Sequence, residues 1–571
     1  MPKNWKITVP SPALQKQLSE SLGITPILAQ LLINRGLGEP GAARAYLDRT
    51  PETGRGGAIK GLAQAVERIT RAVSEDQLIT VYGDYDVDGI TGTAILLQAI
   101  TTVGGQAGHY LPDRMKEGYG LNLSAIEKLA VQGTRLLISV DCGTTSVAEI
   151  ARARELGVDV IVVDHHELLP DVPEAYALIN PHQPDCPYPF DGLCGAGLAY
   201  KLGEAILLGF GKGGESESLL DLAAVGTVAD MVPLRGENRH LVARGLALLN
   251  QGTRPGFKAL RDVAGIGDQA VVSHHLAFVL GPRINAGGRI ADPALGLKLL
   301  LSRTYADAEP LARALDEENR HRQEIERKSV AQARAMAEPQ LKDRFEKAIV
   351  LADDAWHPGV IGLVASRLTQ EFCRPSVVVS FLQGEGKGSA RSVEGFHLTQ
   401  ALEKCRATLT RFGGHAMAAG LSVERGRFTE FEAAFLDVAR EGMPGGALAP
   451  TLKVDVQVTL ADLQPALLKE LDRMEPFGVD NPAPLFGVLG AQLVGMPRLV
   501  GGDKHLKFSV KGSGRVMDAI YFRGGSRIQE LVPGLSLDLV FSPSINRWNG
   551  NETLQLEIRD LRSSRLAEVA R

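Results

Sequence analysis

Cysteine is scarce and dispersed. Cys142, Cys186, Cys194, Cys373 and Cys405 are the five in 571 residues, and no two form a CxxC. An odd, scattered set argues against a disulfide framework or a zinc finger and fits a reducing compartment. Long apolar runs are missing as well. None reaches the ~18 residues of a membrane helix, and the first residues, MPKNWKITVPSP, hold no signal-like apolar core. A cytoplasmic location is therefore expected. Positive charge is not in surplus: 62 Lys and Arg stand against 67 Asp and Glu, a formal net charge of −5. Any nucleic-acid surface must then be local. With 44% hydrophobic residues, ordinary cores can form, and the length suits roughly three or four domains.

What is present is led by LITVYGDYDVDGITGTAILL, residues 78–97. Leu78, Ile79, Val81 and Tyr82 read as a buried parallel strand that breaks at Gly83. Asp84, Asp86 and Asp88 follow at alternate positions, then Gly89. A helix opens there with Thr91 and Thr93 in its first turn, where hydroxyls can cap free N–H groups. Acids beyond the carboxyl end of a strand stand where open α/β sheets keep their active sites. Carboxylates this close raise each other's pKa unless a cation neutralises them. The stretch thus points to a divalent metal, against the blander reading of a solvated Asp-Gly turn. A calcium loop is excluded, because its twelfth position must be Glu and the twelfth residue from Asp84 is Ile95.

Two further apolar strands end the same way. RLLISVDCGTTS (135–146) ends in Asp141, and VDVIVVDHHELL (158–169) ends in Asp164, His165 and His166. A single strand-end Asp is often only a helix cap. Three strand ends carrying DxD, D and DHH converge on the carboxyl edge of one parallel sheet. SLLDLAAVGTVADMVPL (218–234) is an apolar helix whose small residues permit close packing, and Asp230 at its end is a candidate last ligand. LGPRINAGGRIADP (280–293) reads as a loop with Arg283, Asn285 and Arg289 between glycines, suited to phosphate. The alternative there is an Arg paired with the acid cluster.

Around this core, residues 1–75 read as short helices with nothing catalytic. Residues 307–338 are a long, heavily charged helical stretch, expected as a solvated connecting helix. A second α/β unit follows. In it, Trp356, His357, Pro358 and Gly359 sit at a helix start, a natural anion position. A loop carries Ser389, Arg391 and Ser392, and His415 follows the pair Gly413–Gly414. Together these suggest a phosphate or nucleotide pocket, although a core His or surface Arg explains each one alone. GMPGGALAP (442–450) is a linker by composition. Beyond it, short alternating strands form an all-β unit of small-barrel size. Residues 490–530 hold seven Lys and Arg, among them Lys504, Lys507 and Arg523, against three acids. Phe508, Tyr521, Phe522 and Trp548 lie nearby. Basic plus aromatic on a barrel fits single-strand binding, while for any one aromatic a core role is favoured.

VYGDYDVDG, ISVDCG, VIVVDHH and VGTVAD, in that order, resemble the four motifs of the DHH phosphoesterase superfamily. GGHAMAAG resembles the glycine-rich motif of its DHHA1 domain. The length, LGPRINAGGRI, WHPGVIGLVASRL and the terminal β unit narrow the resemblance to that superfamily's single-stranded-DNA-specific 5′→3′ exonucleases. It implies an α/β protein with a parallel-sheet DHH domain over 76–305, a connecting helix over 306–340 and a DHHA1 domain over 341–445. A 1–75 helical segment precedes these, and an OB-like barrel over 450–571 follows.

The resemblance also implies two Mn²⁺ or Mg²⁺ ions. Asp84 and Asp86 would divide between them, Asp141 would bridge, and His165 and Asp230 would complete the second site. Asp164 would support the first His from behind, and Asp88 has no ligand role in the family pattern. His166, Arg283 and His415 would neutralise the scissile phosphate. Arg114 and the Ser389–Arg391 loop would hold the 5′ phosphate, with Asn285, Arg289, His357, Gly413 and Gly414 as further substrate contacts. Many relatives carry a His where this chain has Thr80, which would leave the first metal weaker or completed by water. Single-stranded DNA is the implied partner of a monomer, with a single-strand-binding protein and a RecQ-type helicase beside it. A DHH phosphodiesterase acting on short oligonucleotides or cyclic dinucleotides is the nearest alternative, and a non-catalytic scaffold the alternative from another class.

Overall fold

The computed structural model describes residues 3–50, 59–114, 116–343, 346–382, 384–443, 450–548 and 551–564. The expected linker over 442–450 lies mostly outside them, as does the side chain of Trp548. The chain divides into two compact units: Met1–Gly54 with Met231–Ala243 and Pro450–Arg571, and Arg55–Asp230 with Arg244–Ala449.

The second unit holds two sheets. The first is built from β1 (Leu78–Gly83), β2 (Ala107–Tyr110), β3 (Thr134–Val140), β4 (Asp159–Val163) and β5 (Ala177–Ile179). Its order is β2-β1-β3-β4-β5 and every pairing is parallel. β1, β3 and β4 are apolar runs because helices cover both faces. The order reverses direction between β1 and β3, and the crevice outside the carboxyl ends of such a pair is where open α/β sheets bind ligands. α1 (Val87–Thr102) leaves β1, and α2 (Gly195–Gly209) and α3 (Leu220–Ala229) pack on it. All three are apolar nearly all round, as befits buried helices.

Residues 281–290, expected as a loop, form helix α4 (Gly281–Ile290). Glycine weakens a helix, but here packing demands it: a Cβ on Gly288 would stand 2.2 Å from the Tyr85 carbonyl oxygen. The 39-residue α5 (Tyr305–Asp343) then leads to the second sheet. It is not simply solvated. Ala308, Ala312, Leu315, Ala333 and Ala337 are fully buried, and its buried Asp316 pairs with Arg283.

The second sheet comprises β6 (Ile349–Asp353), β7 (Ser376–Ser380), β8 (Gly386–Arg391), β9 (Arg411–Gly414) and β10 (Ala418–Val423), in the order β9-β10-β8-β7-β6. α6 (Ile361–Phe372) follows β6. Trp356 is buried in the core between α5 and α6, its indole N–H donating to Gln332 Oε1 at 3.0 Å. It is a core residue rather than part of an anion site. Ser389 and Arg391 lie on strand β8 rather than in a loop.

In the first unit, β11 (Phe486–Val500), β12 (His505–Gly512), β13 (Arg515–Tyr521), β14 (Ser536–Trp548) and β15 (Asn551–Ser563) close a five-stranded barrel in the order β11-β12-β13-β15-β14, with β14 returning to β11. The first fifty residues belong to this core: Leu18, Leu28, Leu31 and Leu32 pack with Phe486, Phe541 and Leu556. Asn4–Ile7 is a strand, paired in parallel with Thr451–Val454. Arg239 is buried here, donating to the carbonyls of Tyr46, Arg473 and Glu475, with its guanidinium 3.8 Å from the centre of the Tyr46 ring. Hydrogen bonds to a charged group contribute ~1.5–3 kcal/mol each, and orphaned carbonyls cost more. Arg239→Ala should therefore lower stability by about 3 kcal/mol, read from the urea midpoint of the intact chain. A shift below ~0.5 kcal/mol, the size of an ordinary surface change, would show the guanidinium is dispensable.

Candidate metal centre

The acids meet at the carboxyl edge of the first sheet. Asp84, Asp86 and Asp141 form one group in which one atom of each lies within 4.8 Å of the others. Asp141, His165 and His166 form a second, and Asp88, His165 and Asp230 a third. His165 Nε2 stands 3.2 Å from Asp141 Oδ1, 3.6 Å from Asp230 Oδ2 and 3.9 Å from Asp88 Oδ2. Asp84 and Asp86 occur in one of these groups, and Asp141 belongs to two.

Local backbone chemistry sets these positions. Asp141 has φ 62°, a left-handed conformation that Asp tolerates better than most residues, and its N–H donates to the Val163 carbonyl. Asp86 caps α1, with Oδ1 accepting the N–H groups of Asp88 and Gly89. Thr91 and Thr93, expected as caps, instead donate their hydroxyls back to the Val87 and Gly89 carbonyls, because the carboxylate already occupies the helix end. Thr80 is buried within β1 and shares a hydrogen bond with the Thr134 hydroxyl at 2.8 Å, so that side chain is engaged along the sheet. Asp230 sits at the C-terminal end of α3.

Burial pushes Asp84, Asp141 and Asp230 well above the carboxylate range, and neighbouring carboxylates add to the rise. Burial and Asp86 raise Asp88 to about 6. Burial and the His166 charge lower His165 to about 4, keeping it neutral. Asp84 Oδ1 is buried without a hydrogen-bond partner among the described residues. An orphaned carboxylate oxygen among acids and a neutral imidazole fits a hard divalent cation, and oxygen-rich donors suit Mn²⁺ or Mg²⁺.

Asp164 serves the other histidine than expected. Its Oδ1 accepts His166 Nδ1–H at 2.7 Å and the His165 backbone N–H at 2.8 Å, while Oδ2 accepts the Thr144 N–H. Burial would raise Asp164, but the His166 bond and charge outweigh it and pull it to about 2. In return, burial would lower His166 and the Asp164 bond outweighs that, raising it. Tyr119, not singled out by sequence, donates its hydroxyl to the Asp141 carbonyl at 3.0 Å and lies 3.1 Å from His166 Nδ1. Nothing in its local pattern marks it. His415 follows β9 on an exposed turn, and its charge reaches His165. Gly413 and Gly414 are the exposed end of β9.

Two residues expected to touch substrate are engaged in the scaffold. Arg283 donates from Nε to Asp316 Oδ1 at 3.0 Å and from Nη1 to the Val279 carbonyl. Asn285 Oδ1 accepts the Val87 N–H at 3.1 Å, tying α4 to the start of α1. Asp316 and Val87 are both distant in sequence from the residues they hold, so the local pattern could not reveal them.

A cationic patch adjoins the acids. Arg114 lies 5.1 Å over the Tyr85 ring. Burial lowers Arg289 to about 10, and Arg114 and Arg322 add to this. Burial, then Arg114, lowers Arg391. Burial, His321 and Arg114 lower His357. Arg289 Nη1 donates to the Gly359 carbonyl at 3.2 Å, His357 Nδ1 accepts the Gly359 N–H, and Arg391 Nη1 donates to Ser389 Oγ at 3.1 Å. Arg391 and Ser389 stand beside Gly362 in the first turn of α6. Arg114, Arg289 and Arg391 have no carboxylate partner among the described residues.

On the barrel, Phe508 is core, whereas Phe522 is 47% exposed with its ring edge-on to His505. Lys504, Lys507 and Arg523 form no ion pair among the described residues.

A parallel sheet with an Asp/His centre at its switch point and a second sheet supplying cations defines a phosphoesterase of the DHH class. Residues 78–227 match the DHH family, N-terminal domain, 345–441 the DHHA1 domain, and 454–560 the RecJ OB domain. The single-stranded-DNA-specific exonuclease RecJ of Bacillus subtilis is 38% identical over 562 residues, covering 97% of this chain and 70% of that protein. The crystal structure of RecJ from Thermus thermophilus in complex with Mn²⁺ superposes with TM-score 0.85 at 31% identity, covering 98% of this chain and 79% of that one. Its Mg²⁺ counterpart gives TM-score 0.79 at 30% identity, covering 98% and 78%. The chain belongs to the RecJ family of single-stranded-DNA-specific exonucleases.

In the metal-free Asp164→Asn variant, His166 loses its anionic partner. Its NMR titration midpoint should move down, and an unmoved midpoint would show that the pair does not hold the ring protonated.

Proposed function

We propose that this chain degrades single-stranded DNA from its 5′ end, releasing 5′-mononucleotides with the help of two Mn²⁺ or Mg²⁺ ions. The observation that carries this reading is the juxtaposition of a buried acid centre, with Asp84 Oδ1 unpartnered among the described residues, and arginines that have no carboxylate partner among the described residues. Asp84, Asp86 and Asp141 would hold one ion, and Asp141, His165 and Asp230 the other. When bound, the ions would acidify a water and draw charge from the attacking and leaving oxygens. The chain supplies the rest. His166, whose proton affinity Asp164 raises, faces the scissile phosphate with His415 and offsets its growing charge. Arg114, Arg391, Ser389 and His357 bind the 5′-terminal phosphate, with Arg289 beside them and the α6 N-terminus adding its dipole. Gly413 and Gly414 let the strand pass close to β9. A pocket that reads an end makes the enzyme an exonuclease. Lys504, Lys507 and Arg523 on the barrel bind single-stranded DNA by phosphate contact. Residues 76–305 would carry catalysis and 341–445 end recognition, in a cytoplasmic monomer working beside a single-strand-binding protein and a RecQ-type helicase.

The test is a time course on a 3′-labelled single-stranded oligonucleotide with Mn²⁺, beside the blunt duplex. Loss from the 5′ side of the single strand, with the duplex spared, is expected. Cleavage of dinucleotides but not of the long strand would favour the short-oligonucleotide reading. Asp141→Ala should abolish turnover with its circular dichroism unchanged, and near-normal rates would remove its bridging role. Arg391→Ala should slow 5′-phosphorylated strands more than 5′-hydroxyl ones, and equal losses would count against end-reading. Replacing Lys507 and Arg523 together by Ala should lower the slope of log affinity against log salt by about 1.4. A slope that does not move would take the barrel out of phosphate contact.

A further inference from the structure

Asp88 is buried as deeply as Asp164, 1% exposed, and the proposed reaction gives it no task. Both its oxygens are engaged. Oδ2 accepts the Gly195 N–H at 2.7 Å and Oδ1 accepts the Ala196 N–H at 2.8 Å, so the carboxylate spans two adjacent donors in the first turn of α2. These N–H groups have no partner within their own helix, and the helix dipole favours an anion there.

The packing around this carboxylate leaves no slack. A Cβ on Gly195 would fall 2.9 Å from Asp88 Oδ2 and 2.7 Å from Asp141 Cβ. A Cβ on Gly226, in α3, would fall 2.9 Å from Asp88 Oδ1, 2.5 Å from Thr91 Oγ1 and 2.4 Å from Ala196 Cβ. Three helices therefore close on one carboxylate: α1, which carries it; α2, which donates to it and lies against Asp141; and α3, which ends in Asp230. His165 Nε2 is 3.9 Å from Asp88 Oδ2.

We propose that Asp88 is a positioning residue, a clamp that sets the spacing of Asp141, His165 and Asp230 and so the affinity of the centre for its second cation. It reaches the metal through the helices it joins. The two glycines are part of the device, because only a missing side chain lets α2 and α3 approach it. Asn at 88 keeps the size and one acceptor but presents an N–H₂ to a backbone N–H. One of the two bonds is then lost and the helices must part. Changing a group behind a metal ligand typically costs about 10- to 100-fold in metal affinity.

The inference rests on the two-metal reading, and the experiment separates the two. Mn²⁺ binding to the intact full-length chain is measured by isothermal titration and by EPR, without DNA, for wild type and Asp88→Asn. The expected result is two sites in wild type. In the variant one of the two affinities falls about 10- to 100-fold with the melting transition retained, and turnover recovers at raised Mn²⁺. Wild-type affinity in a folded Asp88→Asn chain overturns the clamp alone. No Mn²⁺ binding by wild type overturns the metal reading itself. If Asp88→Asn fails to fold, Gly226→Ala, which leaves the carboxylate in place and pushes α3 away, decides the matter. The same fall supports the clamp, and unchanged affinity sinks it.

Discussion

Asp84, Asp88 and Asp141 are buried together at the carboxyl edge of one parallel sheet with Asp230 half-buried beside them, and no lysine or arginine is in salt-bridge contact with them among the described residues. Burial drives their pKa values up, while the same burial drives His165 down. A site that penalises isolated charge of either sign is stable in a charged form only around a cation. The surrounding architecture serves this constraint. Apolar strands deliver Asp84, Asp141 and His165 to one edge, a left-handed turn aims Asp141, and helix ends supply N–H groups to Asp86 and Asp88.

The second constraint is its electrostatic mirror. Arg114 and Arg289 come from the part of the unit that holds the first sheet, and His357 and Arg391 from the part that holds the second, and burial with nearby positive charge depresses Arg289, His357 and Arg391. Cations gathered without carboxylates gain from an anion what the acids gain from a metal. Arg114 joins the two halves, since its charge also stabilises ionised Asp84. A chain with net charge −5 can therefore handle a polyanion: the sign that matters is local, and the acid surplus is partly consumed by the metal site.

The parts legible in sequence are those whose cause is local. An apolar run that ends in acid announces a buried strand and what stands beyond it, so β1, β3 and β4 and the convergence of their ends can be read directly. Alternation and turn residues likewise announce the barrel. What escapes depends on contacts made far along the chain. Asn4–Ile7 is too short to show a period and is a strand because Thr451–Val454 pairs with it. The glycines of α4 look like a loop until Tyr85 is seen pressed against Gly288. Which ring Asp164 serves is hidden because DHH offers two neighbours and only geometry chooses. Asp88 looks idle in sequence because its partners, Gly195 and Ala196, lie beyond a long loop.

Those cases share a physical rule for sorting polar residues near an anion-handling site. Arg254 and Arg283 each have a buried carboxylate, Asp221 at 2.6 Å and Asp316 at 3.0 Å, and such a bidentate or buried partner is expensive to abandon. They hold helices in place. Among the described residues, Arg114, Arg289 and Arg391 have only carbonyls, hydroxyls or an aromatic face, which share the guanidinium without neutralising it. Arg283 and Arg289 fall in the same glycine-rich stretch, residues 280–293, so sequence does not tell them apart. The presence or absence of a countercharge separates an arginine that builds the site from one that remains for the substrate, and that countercharge comes from another element of the fold.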